Sequence, residues 1–443
     1  MNLLDVVLVA FSLLITIQAA YTVYLMLYTW NQETNYAASR APKRFRAPQR
    51  TFTVLLPARH EERVIARTVD RVVRSNYPKE MLEAIVICEE HDLGTIEEAQ
   101  RAAGSLAAAG LTNVRIVTFN DKPINKPHAL NVGLTYARHD VVTIVDAEDE
   151  IHPDLLQMVN TVMVEEQVKV VQSGVQLMNF DSTWWSAHNV LEYYYWFKSR
   201  LHVYTRQGMT PLGGNTVFFD TAVLRSVQGW DEHNLTEDAD IGIRLSARGE
   251  RVRVVYDDAY VTKEETPPDL KGFIKQRTRW NQGFLQTLRK GEWLGVPQPA
   301  NRLRALYILA FPFVQGILSF YVPISLMMML LVKVPMLVTL LLFLPGYLLI
   351  AYWLLAVVGL YSFAQAHALR PRHSVALHLL VTFFPYMWVL GFASLRAIWR
   401  ETRGLNNWEK TVHVGAHRHP RLAGQVEVPA DLPLAPRTQA AQH

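Results

Sequence analysis

Val141-Val-Thr-Ile-Val-Asp-Ala-Glu-Asp149 is a short β-branched run that stops in a cluster of acids. Val, Ile and Thr suit a pleated, buried surface and the acids do not, so the run reads as a core strand with a polar end. Working outward, Lys126 to Ala137 reads as a helix and Val114 to Phe119 as a strand. Before them, about Thr95 to Ala109 reads as a helix, and Ala84 to Cys88 as a strand ending in Glu89-Glu90. Glu62 to Ser75 reads as a helix and Thr51 to Leu56 as a strand stopped by Pro57. The alternation of strand and helix predicts an α/β domain with a mostly parallel sheet. In such sheets ligands bind beyond the carboxyl ends of the strands, where Glu89 and Asp146 fall.

The rest of the 443-residue chain is of another kind, and half of all residues are hydrophobic. Residues 3–30 and 305–397 are almost continuously apolar and long enough to cross a bilayer several times. The chain therefore divides into an N-terminal anchor with a basic linker (1–50), a water-facing domain (51–300), C-terminal transmembrane helices (301–400) and a cytosolic or disordered tail (401–443). Leu3 to Trp30 reads as an uncleaved anchor, and Arg40, Lys43, Arg44, Arg46 and Arg50 behind it place the next domain in the cytoplasm of a cell (inner) membrane protein. The net charge of +4 is ordinary membrane-flanking charge and gives no reason to expect nucleic acid as a partner. Cys88 is the only cysteine, which excludes an intrachain disulfide.

Downstream spans are expected near Leu306 to Leu331, Pro335 to Tyr361 and Ser374 to Ala397. Their flanks conflict: with three crossings, Arg396, Arg400, Arg403 and Lys410 fall outside, against the charge rule. Either one apolar stretch is interfacial or re-entrant, which brings Asn407-Trp-Glu-Lys-Thr411 near the cytosolic site, or the rule fails here. The Pro- and Ala-rich end from about Gly415 reads as disordered. The oligomeric state is not legible.

Several stretches carry chemistry. An extended chain points Asp146 and Glu148 the same way, where they could share a hard cation with a diphosphate; otherwise they are turn formers before the helix that Pro153 opens. Lys126-Pro-His-Ala-Leu-Asn131 sets a cation before a helix N-terminus, suited to phosphate oxygens or simply solvated. Asn179 to Phe197 is so dense in Trp and Tyr that an interfacial helix is expected, with core packing as the alternative. Pro211-Leu-Gly-Gly-Asn215 is a tight loop where backbone can approach a ligand, or a turn. In Leu235 to Leu245, Thr236 reads as an N-cap with Glu237, Asp238 and Asp240 in the first turn. Those acids either suit the helix dipole or include a base able to take a proton from a hydroxyl nucleophile. Phe273 to Gly283 sets two arginines and a Trp on an amphipathic helix beside the first downstream span.

Taken together, Pro57-Ala-Arg-His-Glu61, Glu89-Glu90, Lys126 to Asn131, Asp146-Ala-Glu148, Thr236-Glu-Asp238 and Gln276-Arg-Thr-Arg-Trp280 resemble, in order and spacing, the membrane-embedded family-2 glycosyltransferases of the cellulose synthase and hyaluronan synthase kind. The resemblance implies a GT-A-like, Rossmann-like cytosolic α/β domain inserted between transmembrane α-helices. It implies that Pro57, Arg59, Glu61, Glu89, Lys126, Asp146, Gln276 and Arg279 bind a nucleotide-sugar donor, with His60 standing for the usual Asn and Glu89-Glu90 for Asp-Asp. Asp146 and Glu148 match the DxD motif that holds Mg or Mn, with Glu in the second place and Asp149 as a substitute. Asp238 matches the catalytic base, and Glu237 and Trp280 the acceptor site. The implied reaction is inverting single displacement from a UDP-sugar, elongating a β-linked polysaccharide that passes through the chain's own helices. Single addition to a lipid acceptor is the alternative, and a catalytically silent membrane binding protein a third.

Overall fold

The computed structural model describes residues 3–30, 33–331 and 335–409. The expected disordered end from Gly415, and Lys410 and Thr411, lie outside the described residues.

The chain opens with the apolar helix α1 (Leu3–Leu27) and the short α2 (Glu33–Ser39), then enters β1 (Phe52–Ala58) and α3 (Ile65–Val73). β2 (Leu82–Glu89), α4 (Leu93–Ala108), β3 (Val114–Phe119), α5 (Lys126–Tyr136), β4 (Val141–Ile144) and α6 (Leu155–Glu166) continue the alternation. β5 (Val170–Ser173) and β6 (Val175–Leu177) precede α7 (Ser186–Tyr195), a π-helical turn (Trp196–Arg200) and α8 (Leu201–Arg206). β7 (Val217–Asp220), α9 (Thr221–Ser226), α10 (Glu237–Ala247), β8 (Val252–Val255) and β9 (Thr262–Glu264) complete the sheets. The long amphipathic α11 (Leu270–Lys290) leads to the apolar α12 (Pro299–Leu331), α13 (Met336–Leu342), α14 (Leu344–Ala366) and α15 (Val375–Thr402).

Seven strands form one sheet in the order β3-β2-β1-β4-β7-β5-β8, and β6 pairs with β9 in a second. β1 is parallel to β2 and β4, and β5 to β8, but β7 runs antiparallel to both β4 and β5. The mostly parallel expectation holds for every strand of this sheet except β7, which is entered from the 207–216 loop rather than from a crossover helix. Burial follows the period-2 pleat. Leu55, Ile85 and Ile87 face Leu130, Leu134 and Ile241, while Val54, Leu56 and Val86 face Ile65, Val69 and Val159 on the other side. β4 stops at Ile144, and Asp146 to Asp149 form a turn closed by the Asp149 N–H on the Asp146 carbonyl (3.0 Å). Strand alternation thus does not align Asp146 with Glu148; the turn does.

The aromatic stretch is packed inside protein. Trp185, Tyr194, Tyr195 and Phe197 are buried, and Tyr195 Oη donates to the Leu355 carbonyl of α14 (2.5 Å). Contact with the apolar helices gives its rings a dry partner, so the core alternative describes it better than an exposed interfacial face. Four helical segments, within α1, α12, α13–α14 and α15, are long and apolar enough to cross a membrane. One precedes the sheet domain and three follow it.

α15 runs along the sheet domain. His378 near its start lies 2.8 Å from the Trp184 carbonyl, Tyr386 packs on Phe273, and Arg400 near its end donates to Gln282 Oε1 (3.0 Å). It crosses α12 where Gly391 and Gly316 meet: a Cβ on Gly391 would sit 3.3 Å from the Gly316 Cα, so a side chain at this crossing would push the two helices slightly apart. Beyond α15 the chain turns back, and Glu409 accepts from Arg396 Nη1 (2.7 Å) and Nη2 (2.8 Å).

Candidate active site

A cavity of about 420 Å³ opens at the carboxyl ends of β1, β2 and β4 and continues toward α1, α12 and α15. β1 delivers Pro57 to its wall, and the chain then turns at His60 with φ +55°. The His60 N–H donates to Asp92 Oδ2 (2.6 Å) and the Glu61 N–H to Thr95 Oγ1 (2.9 Å), which fixes the loop. Glu61 therefore faces the cavity, buried, beside Arg59, while the His60 ring is 61% exposed. At the end of β2, Glu89 lines the cavity with Oε1 2.8 Å from His91 Nδ1. Glu90 points away and accepts from Asn120 (2.7 Å), as strand alternation requires.

Lys126 is the first residue of α5, whose N-cap Asn125 accepts from the His128 N–H (3.0 Å). Its ammonium lies 2.5 and 2.8 Å from the two Asp146 carboxylate oxygens and donates to the Gly214 carbonyl (3.0 Å). Glu148 is buried in the same wall, and Glu264, at the end of β9, joins it. Burial, reinforced by the Glu148 and Asp146 charges, pushes the Glu264 carboxyl well above the usual carboxylate range. Asp149 does not line the cavity. It is 1% exposed, and its Oδ2 accepts from Asn215 Nδ2 (2.6 Å) and from the Asp146 N–H (3.2 Å), which holds the turn.

On the opposite wall, Thr236 precedes α10 but makes no side-chain cap; its hydroxyl turns to Asn234 Oδ1 (3.3 Å). Asp238 instead accepts the Ala239 N–H (2.8 Å). Burial raises the Asp238 carboxyl, while that bond, Lys126 and Arg279 pull it back. Glu237 is pushed up to about 7, by burial first and the Asp238 charge second. Asp240 is diverted from the cavity to Arg244 Nε (2.8 Å) and Lys290 Nζ (2.9 Å). The Pro211 to Asn215 loop fits between the walls: a Cβ on Gly214 would lie 3.2 Å from Asp238 Oδ2 and 3.8 Å from Lys126 Nζ. Backbone occupies space there that a side chain would fill.

α11 closes the cavity with Gln276, Arg277, Arg279 and Trp280. Arg277 pairs with Glu192, and its guanidinium carbon lies 4.8 Å from the Trp280 ring centroid. Arg279 donates to the Leu235 carbonyl (3.2 Å) and lies 4.3 Å from the ring centroid of Trp408, which also lines the cavity.

The structure thus brings Pro57, Arg59, Glu61, Glu89, Lys126, Asp146, Glu148, Glu237, Asp238, Gln276, Arg279 and Trp280 to one cavity. Sequence reading passed over Glu264, although Glu264-Glu265 after a short strand is the same signal that marked Asp146. Tyr193, Trp196 and Arg200 also reach the wall, and no motif marked them individually.

A seven-stranded mixed α/β sheet whose strand ends carry acids, with a lysine at the start of α5 and an amphipathic helix closing the opening, defines a GT-A-like domain. A family model described as "Glycosyltransferase like family 2" matches residues 48–283, more than half of the chain, and the chain belongs to that family. Relatives include a probable glycosyltransferase YdaM of Bacillus subtilis, 26% identical over 52% of this chain and 54% of its own length. A beta-monoglucosyldiacylglycerol synthase of Nostoc is 24% identical over 53% of this chain and 49% of its own length. A probable glucomannan 4-beta-mannosyltransferase of Arabidopsis thaliana is 22% identical over 54% of each chain. The chain spans about half the length of these curated relatives. Among solved structures, the mannosyltransferase PcManGT of Pyrobaculum calidifontis, in complex with GDP-Man and Mn2+, matches 89% of this chain and 99% of its own at 20% identity and a TM-score of 0.51, a likeness of fold.

Proposed function

We propose that the protein is a membrane hexosyltransferase that moves a sugar, with inversion, from a nucleoside diphosphate sugar to an acceptor hydroxyl presented from the bilayer side. The observation that carries this reading is the convergence of Lys126, Asp146, Glu148, Asp238 and Gln276 to Trp280 on one cavity. Pro57, Arg59, Glu61 and Glu89 would hold the nucleoside, and Lys126, Gln276 and Arg279 the diphosphate.

Asp238 takes the acceptor proton as the hydroxyl oxygen attacks the anomeric carbon and the bond to the departing diphosphate breaks. Burial helps, because a carboxylate of raised pKa is the stronger base. Lys126 and Arg279 face the charge that grows on the leaving group. Glu237 and Trp280 would position the acceptor.

The acidic wall suits a divalent cation. Asp146, Glu148 and Glu264 are hard oxygen donors, and burial with mutual repulsion disfavours the charged form of Glu264, a cost that a cation would relieve. Among the described residues no ready-made set of three His, Cys, Asp or Glu ligands exists. Mg or Mn would thus sit on Asp146 and Glu148, with the donor diphosphate completing its shell. The bound cation would neutralise the leaving diphosphate. The structure of PcManGT with GDP-Man and Mn2+ supports such a cation and leaves UDP and GDP donors both to be tried.

Leu25, Ile308, Phe311 and Leu390 make the membrane end of the cavity apolar, which favours a lipid-borne acceptor. Elongation of a β-linked polysaccharide is the second reading, favoured by the Trp280 ring 6.2 Å from that of Tyr193 beside the acceptor position. Named relatives include both a beta-monoglucosyldiacylglycerol synthase and a probable glucomannan 4-beta-mannosyltransferase. With the sheet domain cytosolic, α1, α12 and α14 cross the membrane and α15 lies along the domain at the interface. This arrangement keeps Arg396, Arg400 and Arg403 inside and resolves the conflict of flanking charges.

The deciding experiment supplies radiolabelled UDP- and GDP-sugars to the protein in lipid nanodiscs with Mn or Mg and resolves products by size. One lipid-soluble product is expected. A high-mass ladder would establish the polysaccharide reading, and no transfer from any donor would overturn both.

A further inference from the structure

The π-helical turn Trp196–Arg200 separates the side chains that follow α7. Lys198 turns to Asp258 and Ser199 accepts the Thr29 N–H, but Trp196 and Arg200 line the cavity. Arg200 lies at the membrane end, with Thr22 and Leu25 of α1, Tyr307 of α12 and Tyr204 of α8 in the same wall. Burial pushes the Tyr204 phenol up and the Arg200 charge pulls it back, so the two are neighbours.

Other cavity cations have partners. Lys126 is paired with Asp146, Arg277 with Glu192, and Arg279 is held by the Leu235 carbonyl and Trp408. Arg200 Nε has no contact with solvent and no hydrogen-bond partner, and among the described residues no carboxylate pairs with this guanidinium. A half-buried guanidinium without a counterion is costly to a fold and is the group best shaped to grip an oxyanion with two parallel hydrogen bonds.

We propose that the acceptor is an anionic lipid, with a phosphate beside its free hydroxyl, and that Arg200 binds that phosphate at the membrane end of the cavity. The proposal rests on the transferase reading and names the acceptor class for it. The apolar residues around Arg200 take the acyl chains, and the hydroxyl extends toward Asp238. A bilayer phosphate that merely parks at Arg200 would show the same chemistry without being substrate, and the test separates the two.

The protein is purified in maltoside micelles, which contain no phosphate, and given phosphatidylglycerol or diacylglycerol as acceptor. Phosphatidylglycerol should exceed diacylglycerol in kcat/KM by roughly tenfold or more. Arg200→Gln should erase that preference through KM for the anionic lipid, and Arg200→Lys should restore part of it. Native mass spectrometry reads binding without turnover: the wild type should retain phosphatidylglycerol and Arg200→Gln should not. Equal retention by the two proteins would overturn the proposal even if no donor were turned over, an outcome distinct from failure of the transferase reading. Retention that depends on Arg200 for phosphatidylcholine as well, with no preference between the two acceptors, would overturn it in favour of a parked bilayer lipid.

Discussion

The two ends of the cavity treat charge differently. At the strand ends, Lys126 lies against Asp146, Asp149 is tied to Asn215, and burial holds Glu237 and Glu264 toward their neutral forms. At the membrane end, Arg200 stands among tyrosines and aliphatic side chains without a counterion among the described residues. The first end can exchange internal pairs such as Lys126–Asp146 for those of a charged donor. The second invites a ligand that brings its own charge. A buried ion pair gains little net stability but makes the loss of either partner severe, so the two ends should respond differently to substitution.

The largest effect is expected at Asp238. Asp238→Asn should reduce transfer by about 10²–10⁴-fold, as removal of a general base does, while calorimetry still records donor nucleotide binding. Retained turnover would remove Asp238 from its role. Next comes Lys126→Met, which leaves Asp146 facing the diphosphate uncompensated. Donor KM should rise by about tenfold or more, the loss of a charge-assisted hydrogen bond worth roughly 1.5–3 kcal/mol. An unchanged KM would mean that Lys126 only balances the fold.

The third prediction concerns pH. Glu237 is raised in the folded protein from its ordinary 4.5 to about 7. A carboxyl raised in this way stabilises the fold fully below the unfolded value and loses that contribution as pH climbs through the folded one. The thermal midpoint of the ligand-free protein should therefore fall between about pH 4.5 and pH 7. Glu237→Gln should flatten the fall, and an unaltered slope would count against it. The smallest effect is expected for Trp408→Ala, which uncovers Arg279. A cation–π contact that is not fully buried contributes roughly 0.5–1 kcal/mol, so donor KM should change by only about two- to fivefold in steady-state kinetics.

The donor end was far more legible in the sequence than the membrane end. Pro57, Glu61, Glu89, Lys126 and Asp146 lie at strand ends or a helix start, where short-range patterning fixes position. Gln276 to Trp280 lie on one amphipathic helix. Glu148 reached the same wall by a turn that strand alternation does not describe, and Asp149 was absorbed by Asn215, a partner distant in sequence. Thr236 held the N-cap position without making the cap, because Asn234 captured its hydroxyl. The aromatic run looked like a membrane-surface helix because its composition suits that place. Only tertiary contact with α14 and α15 shows that its rings are interior. Arg200 was silent for a related reason: one basic residue among many near a membrane has no signature until its neighbours are known.

Trp408 reaches the cavity from beyond the last apolar helix and lies on Arg279, which is synthesised much earlier. Translation therefore delivers the cavity's acids, lysine and other arginines long before the ring that covers Arg279. On the ribosome the sheet domain can fold with its cavity open while α12 to α15 are still being made. The enclosure is finished only when the segment after α15 emerges and Glu409 meets Arg396. A chain stalled before that point would carry every residue placed here in donor binding and still lack one wall of the chamber.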